Sequence, residues 1–406
     1  MKCPFFASLI AWVVAAATSS LMAESPDLKA PWPNWRGPNH DGVSNETGWA
    51  AAFPEGKARI AWQASVGTGF SSFAVAGGRA YTMGNVADTD VVTCLAVADE
   101  KSLWQFRYPQ PLDSGNYEGG PHATPTVDGD RVYTFSKHGR AYCLKAATGD
   151  KIWEADVIKQ FDAKKPTWGF AGSPLVLGDL VILNACSHGI ALNKTTGELV
   201  WKSASSPGGY ATAVPFRAGD TQAVMLFGQE ALLAVRVSDG DLLWQFPWKT
   251  SYDVNAADPI VSDGKVFISS GYNVGCALLD ISGAAPKVVW QNRNMRNHFN
   301  SCVLLGGHVY GFDEGTLKCL ELSSGQEKWN QHGLGKGSLM VADGKLLVLS
   351  EDGRLVIAAA SPDGFREQAS AQILRDRCWT VPVLAGGRVY ARNAAGNVVC
   401  LDVSKQ

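Results

Sequence analysis

Hydrophobic and polar positions along the chain fall into short apolar runs punctuated by paired Gly and Asp residues. One design recurs eight times: a few small or polar residues, an apolar run, a two-residue turn, and a second apolar run closing on an aromatic or aliphatic side chain. The turns are Gly77-Gly78, Gly129-Asp130, Gly178-Asp179, Gly219-Asp220, Asp263-Gly264, Gly306-Gly307, Asp343-Gly344 and Gly386-Gly387. Gly and Asp tolerate the positive φ of tight hairpins, so each turn predicts a β-hairpin. They recur on average about every 44 residues, and a spacing of roughly 40 to 50 with four strand-like runs per unit predicts a propeller blade.

The second half of each unit repeats as well. A tight turn such as His138-Gly139 or Asp352-Gly353 leads to a third strand, then a Thr/Ser/Asp-Gly turn, then a strand carrying Trp. Thr148-Gly149 precedes Trp153, Thr196-Gly197 precedes Trp201, Asp239-Gly240 precedes Trp244, and Ser324-Gly325 precedes Trp329. Trp104 and Trp290 hold the same place after altered turns, whereas no tryptophan occurs near residues 365–369. An aromatic at a fixed position in successive sheets predicts a wedge between neighbouring blades, each burying about 200 Å².

The last unit ends after its third strand, residues 398–403. The missing outer strand lies at the other end, where residues 59–66 carry Trp62 ahead of the first hairpin. The fold class is therefore all-β: an eight-bladed β-propeller of four-stranded antiparallel blades, the last closed by an N-terminal strand that removes the free sheet edges. Cys94, Cys143, Cys319 and Cys400 each precede a leucine in a third strand, and Cys276 lies in the matching stretch. Equivalent positions of different blades lie beyond disulfide reach, so these five read as buried fillers. Cys186, Cys302 and Cys378 stay undecided.

The N-terminus adds export. Lys2, an uncharged and largely apolar run over residues 5–17, and small residues up to Ala23 form the layout of a secretory signal peptide, too short to span a bilayer. Cys3 precedes the apolar run and so is not placed for lipid attachment. The domain reading is 1–23 signal peptide, 24–57 an extension bearing the Trp-Pro-Asn-Trp-Arg-Gly-Pro motif, and 58–406 the propeller. Location is expected to be periplasmic or secreted. A net charge of -2 and the lack of long Lys/Arg runs exclude a nucleic-acid footprint, and no transmembrane segment is expected after cleavage. A closed ring hides its own edges, so a monomer is expected.

The segment Leu144, Lys145, Ala146, Ala147, Thr148, Gly149, Asp150, Lys151, Ile152, Trp153 resembles the tryptophan-docking repeat of quinoprotein dehydrogenases, and residues 192–201 nearly repeat it. The same repeat builds BamB-like propellers, the lipoprotein subunit of the outer-membrane β-barrel assembly machinery. Residues 32–44, with Asn34, Trp35, Arg36, Gly37, Pro38, Asp41 and Gly42, look like the opening of exported quinoprotein-like (pyrroloquinoline quinone repeat) propellers of planctomycetes. The resemblance covers residues 31–404. It implies pyrroloquinoline quinone with calcium as a cofactor pair, held in the large enzymes between a tryptophan and a disulfide of adjacent cysteines. No two cysteines are adjacent in this chain, and no carboxylate aligns with a catalytic base or calcium ligand.

The long connections between blades, chiefly residues 107–120 and 156–169 with Tyr117, Glu118, Lys164, Lys165 and Trp168, fall on one face, which marks a binding face. Residues just ahead of the inner strands should ring the channel mouth there. As ligand- or partner-binding candidates these are His122, Tyr210, Asp258, Arg296, His298, Asn300, Lys336, Arg375, Arg377 and Trp379, with Phe170 and Asn255 beside them. Cations, amides, histidines and aromatics suit an anionic or polyhydroxylated ligand or a peptide loop, or they solvate a water-filled channel. The histidines are spread over different blades and predict no metal site. Neither a nucleophile elbow nor a phosphate loop occurs, so no catalytic residue is assigned. Two functions compete. The first is an exported non-catalytic binding or scaffold propeller for a periplasmic or extracellular protein or a polar small molecule. The second is a quinone-dependent alcohol or sugar dehydrogenase with a divergent pocket using Trp379 and Asp258. A polysaccharide-processing propeller is a third.

Overall fold

A computed structural model describes residues 30–115 and 117–405 together with Met1. The expected leader and Cys3 fall outside the described residues. Eight sheets, each built on four antiparallel strands, follow one another; those four strands are hydrogen-bonded in sequence order in every blade but the last, and the seventh sheet gains a fifth strand. Blade 1 comprises Ala74–Ala76, Arg79–Asn85, Thr89–Ala96 and Ser102–Pro109, and blade 2 comprises Thr126–Asp128, Arg131–Phe135, Arg140–Lys145 and Lys151–Asp156. All eight Gly/Asp turns join an inner strand to the next one out. Their first residues have positive φ, from 49° at Asp263 to 62° at Gly386, which only Gly and small polar residues adopt at low cost.

Blade 8 is built from both ends of the chain. Ile60–Ser65 pairs with Asn397–Asp402, which continues to Arg388–Arg392 and Val383–Ala385. Trp62 sits opposite Cys400 and donates its indole N–H to Val97 O of blade 1 at 3.2 Å. The seam is reinforced by Arg392, a fully buried cation of blade 8. It donates to Gly67 O at 2.8 Å, Met83 O at 2.6 Å and Ser71 O at 3.2 Å.

The tryptophan repeat has a plain mechanical meaning. Trp104, Trp153 and Trp201 donate to Ala146 O, Lys194 O and Val237 O of the following blade at 2.8–2.9 Å. Trp290 and Trp329 do the same to Leu322 O and Ser361 O. The rings of Trp104, Trp153, Trp201 and Trp290 each lie on the glycine of the next blade's turn. A Cβ built on Gly149 would meet Trp104 at 2.5 Å, and one on Gly197 would meet Trp153 at 2.7 Å. Small side chains stand opposite the rings: Cys94, Cys143, Ala191, Ala234 and Cys319. Blade 7 inverts the sizes, with Ala369 opposite Ile357. Phe365 takes up the space against Trp329, ring centroids 5.8 Å apart.

All eight described cysteines are free and buried, Cys186, Cys302 and Cys378 included. Cys276 is two residues out of the expected register: it faces Asn292, and Leu278 stands opposite Trp290. Burial pushes the thiols of Cys94, Cys276, Cys302, Cys378 and Cys400 up to about 12, so they stay protonated fillers.

Residues 30–57 pack on the ring. Trp32 bridges Val75 of blade 1, and Pro33 O accepts from Val127 N of blade 2. The chain then reaches blades 5 and 6 through Trp35 and Arg36. Val43–Ser44 returns as a fifth, parallel strand beside Ser338–Ala342 of blade 7. Trp49 and Phe53 are buried in the core under blade 8. These contacts at Val75, Val127 and Ala342 lie at the hairpin ends of the inner strands. The segment therefore crosses the face opposite the long connections and sends Trp35 and Arg36 into the channel.

Candidate functional site

Connections leading into the blades converge on one cavity of about 470 Å³. Its floor is the tip of the N-terminal segment. Trp35 donates its indole N–H to Asp258 Oδ2 at 2.5 Å, and Arg36 lies 3.7 Å from the same oxygen. Asp258 Oδ1 accepts from Thr212 N at 2.8 Å. Burial pushes the Asp258 carboxyl up, and Arg36 opposes that shift. A segment more than 200 residues away in sequence (|i−j|=223) thus closes the channel beneath the cavity.

The walls are mostly aromatic. Phe299 lies 4.3 Å from Trp379, Tyr117 5.2 Å, and Phe70 6.0 Å at 26°. Trp168 adjoins Tyr117 at 6.1 Å, and His298 joins Tyr272 to Phe299 with centroids 5.1 Å from each. Two of the polar ends are bonded, which holds their rings in place. Trp379 Nε1 donates to Glu351 at 3.0 Å. Tyr210 Oη accepts from Trp168 N at 3.5 Å.

Of the ten residues expected at the mouth, His122, Tyr210, Asp258, His298, Asn300 and Trp379 line this cavity. His122 packs edge-on against Phe70, and its pKa is pushed down to about 3 by burial, with Lys137 adding to the effect. His298 is lowered by burial and by Lys336. Lys336 Nζ lies 2.9 Å from His298 Nδ1, and an ammonium only donates, so Nδ1 accepts. The neutral ring then carries its proton on Nε2 and donates it to Tyr272 Oη at 3.0 Å, leaving the phenol hydrogen free to point elsewhere. Asn300 Nδ2 donates to Gly337 O at 2.7 Å, while no described residue engages its Oδ1.

The other four do not line the cavity. Arg296 grips Asp313 with bonds of 2.6 and 2.9 Å. Arg377 Nη1 holds both oxygens of Glu118 and its guanidinium sits 4.4 Å over Trp379. Lys336 faces Glu314 at 3.5 Å beside a small side cavity, and Arg375 is exposed. Phe170 and Asn255 are core residues: Phe170 packs on Phe135, and Asn255 donates to Gly228 O, Gln229 O and Trp248 O. Of the four cations expected at the mouth, Arg296, Arg377 and Lys336 have each found an acid, and Arg375 is exposed. Trp35, Phe70, Tyr272 and Phe299 went unnoticed as wall residues. Trp35 alone had a signal, the aromatic and glycine density of its motif.

Pyrroloquinoline quinone with calcium does not fit these residues. The quinone is a tricarboxylate, yet Lys137 is the one lysine or arginine lining the cavity among the described residues, and Asp113 holds it at 3.4 Å. Asp258 is committed to Trp35, Arg36 and Thr212, and no described cluster of three or more His, Cys, Asp or Glu converges as a metal site.

A ring sewn by tryptophan onto glycine, carrying a ligand-sized aromatic cavity, defines a PQQ-repeat β-propeller with a built mouth site. A family model described as outer membrane protein assembly factor BamB matches residues 88–331 and 314–406, and the chain belongs to that family. It is 25% identical over 362 residues to outer membrane protein assembly factor BamB of Yersinia pestis, covering 83% of this chain and 87% of that one. It is 24% identical over 282 residues to quinoprotein alcohol dehydrogenase PedH of Pseudomonas putida, covering 66% of this chain and 42% of the enzyme. A europium-containing methanol dehydrogenase shares the fold with a TM-score of 0.70 at 13% identity, covering 89% of each chain.

Proposed function

We propose that this is an exported, non-catalytic binding propeller that engages its partner or ligand through the aromatic cavity on its mouth face. The observation that carries the reading is the cavity itself: about 470 Å³, floored by Trp35, and walled by aromatic rings. Two of its titratable groups are poorly suited to carrying protons. His122, with a pKa of about 3, is a weak base at neutral pH, and Asp258 is spent on the floor. The Yersinia relative, named as an outer membrane protein assembly factor, supports an envelope location and a protein partner for this chain. The leader-like residues 1–23 support export, and no helix among the described residues is long and apolar enough to cross a membrane.

A photo-crosslinking amino acid at Tyr117, 40% exposed on the mouth face, tests the binding face against the same probe at Val288 on an outer strand. A discrete envelope adduct at position 117 and none at 288 is expected. Equal labelling, or no adduct at 117, overturns the reading. Intact mass of envelope material should start near Glu24 without an acyl adduct. Alcohol-dependent dye reduction after loading with pyrroloquinoline quinone and calcium would overturn the non-catalytic part.

A further inference from the structure

The charges lining the cavity are engaged by partners. Asp258 is matched by Arg36, Asp113 is held by Lys137 and also by Lys165, and beside the cavity Glu118 is matched by Arg377 and Glu314 by Lys336. An anion would have to break one of these pairs to find a free cation, and a cationic guest would meet the same obstacle in reverse. A wholly apolar guest fails for a different reason. It would strip water from Asn300 Oδ1 and from the Tyr272 hydroxyl, whose acceptor side is filled by His298, and a buried polar group left unmatched costs about 1–3 kcal/mol.

What remains is a guest that is neutral, has flat C–H faces for the rings, and carries hydroxyls that both donate and accept. We propose that the cavity binds a neutral sugar, with the hydroxyls of one pyranose ring donating to Asn300 Oδ1 and accepting from Tyr272 Oη while its apolar face lies against the aromatic wall. This deepens the binding-propeller reading and rests on it. The volume, about 470 Å³, lies within the roughly 300–1,000 Å³ of small-molecule sites and admits a mono- or disaccharide. The relay from Lys336 through His298 Nδ1 and Nε2 to Tyr272 turns the phenol proton away from His298, so the site offers one donor and one acceptor.

The test is calorimetric titration of the mature full chain with cellobiose, maltose, xylobiose, mannobiose, lactose and chitobiose, with digalacturonate and glycine betaine as charged counterparts. At least one neutral disaccharide should bind saturably while neither charged probe does. Tyr272→Phe keeps the ring and removes the hydroxyl, and should weaken that sugar about tenfold while the protein still folds and melts cooperatively. Asn300→Ala should weaken it comparably, and Phe299→Leu provides a second wall variant should Asn300→Ala fold poorly. No neutral binder in the panel, tighter binding of digalacturonate or betaine, or full affinity in Tyr272→Phe overturns the proposal. A failed titration with the Tyr117 crosslink intact removes the sugar alone, whereas loss of both removes the binding face as well.

Discussion

Arg36→Met removes the charge that lets an acid sit at the bottom of the channel. The guanidinium and the Asp258 carboxylate have side-chain exposures of 6% and 2% and lie 3.7 Å apart. Arg36 also donates to Cys302 O at 2.7 Å and to Asp41 O at 2.9 Å. Methionine fills similar space but leaves Asp258 uncompensated, and removing one partner of a buried pair costs about 3–5 kcal/mol. Asp258 can escape by protonation. Burial already raises its folded pKa, and loss of Arg36 raises it further. A raised folded pKa means the native state holds the proton more tightly than the unfolded chain. The deficit of the variant should therefore be smallest at acid pH, where both proteins hold the proton, and grow by about 1.4 kcal/mol for each pH unit only between the parent's folded pKa and the variant's higher one. Urea unfolding followed by tryptophan fluorescence at pH 5 and pH 8 measures this, with Arg36→Met/Asp258→Asn as the rescue. If the segment peels away before the ring melts, protease cleavage within residues 30–57 will precede global unfolding. A cost below about 1 kcal/mol at pH 8, or a double variant no better than the single, would refute the floor as an ion-paired plug.

Trp62→Ala should cost about 3–5 kcal/mol, and deleting the chain through Val66 should expose Asn397–Asp402 and abolish a cooperative melt; a deletion variant melting like the parent would contradict closure. Gly197→Ala forces a Cβ to 2.7 Å from Trp153 at φ +77° and should cost about 2–4 kcal/mol, but only about 1–2 in a Trp153→Ala background, so strict additivity in denaturation would show that ring and glycine do not meet. Asp90 is buried, and its pKa is pushed up to about 6 by desolvation, against the pull of Asn85, Tyr108, Lys137 and Arg140. Its contribution is full below pH 4 and lost as pH rises through 6, so Asp90→Asn should match the parent at pH 4 and exceed it at pH 8 by up to about 3 kcal/mol, a lower melting point at pH 8 counting against this.

The blade count was readable because a hairpin needs positive φ and four of the docked tryptophans rest on a turn glycine, and both leave fixed residues at fixed spacing. Ring closure was readable for the same reason: Trp62 lacked a blade and the last blade lacked a tryptophan. Convergence at the mouth was harder. Arg377 finds Glu118 259 positions away, and Arg296 finds Asp313 in the next blade's second strand. Such pairings depend on loop paths that carry no periodicity. Asn255 and Phe170 looked like mouth residues by position, yet the loop backbones needed a bonding partner and the core needed a ring. Phe299 sat unnoticed between two polar neighbours.

The two-ended last blade also sets a clock. Ile60–Ser65 leaves the ribosome about 330 residues before its partner Asn397–Asp402, and at roughly 5–20 residues per second that is a wait on the order of tens of seconds. Throughout it, the strand has no ladder to join, and the tip bearing Trp35 has no channel to fill. Pairing over so long a separation is entropically late, so the ring should snap shut as its slowest step, and whatever escorts the chain must shield one unpaired strand until then.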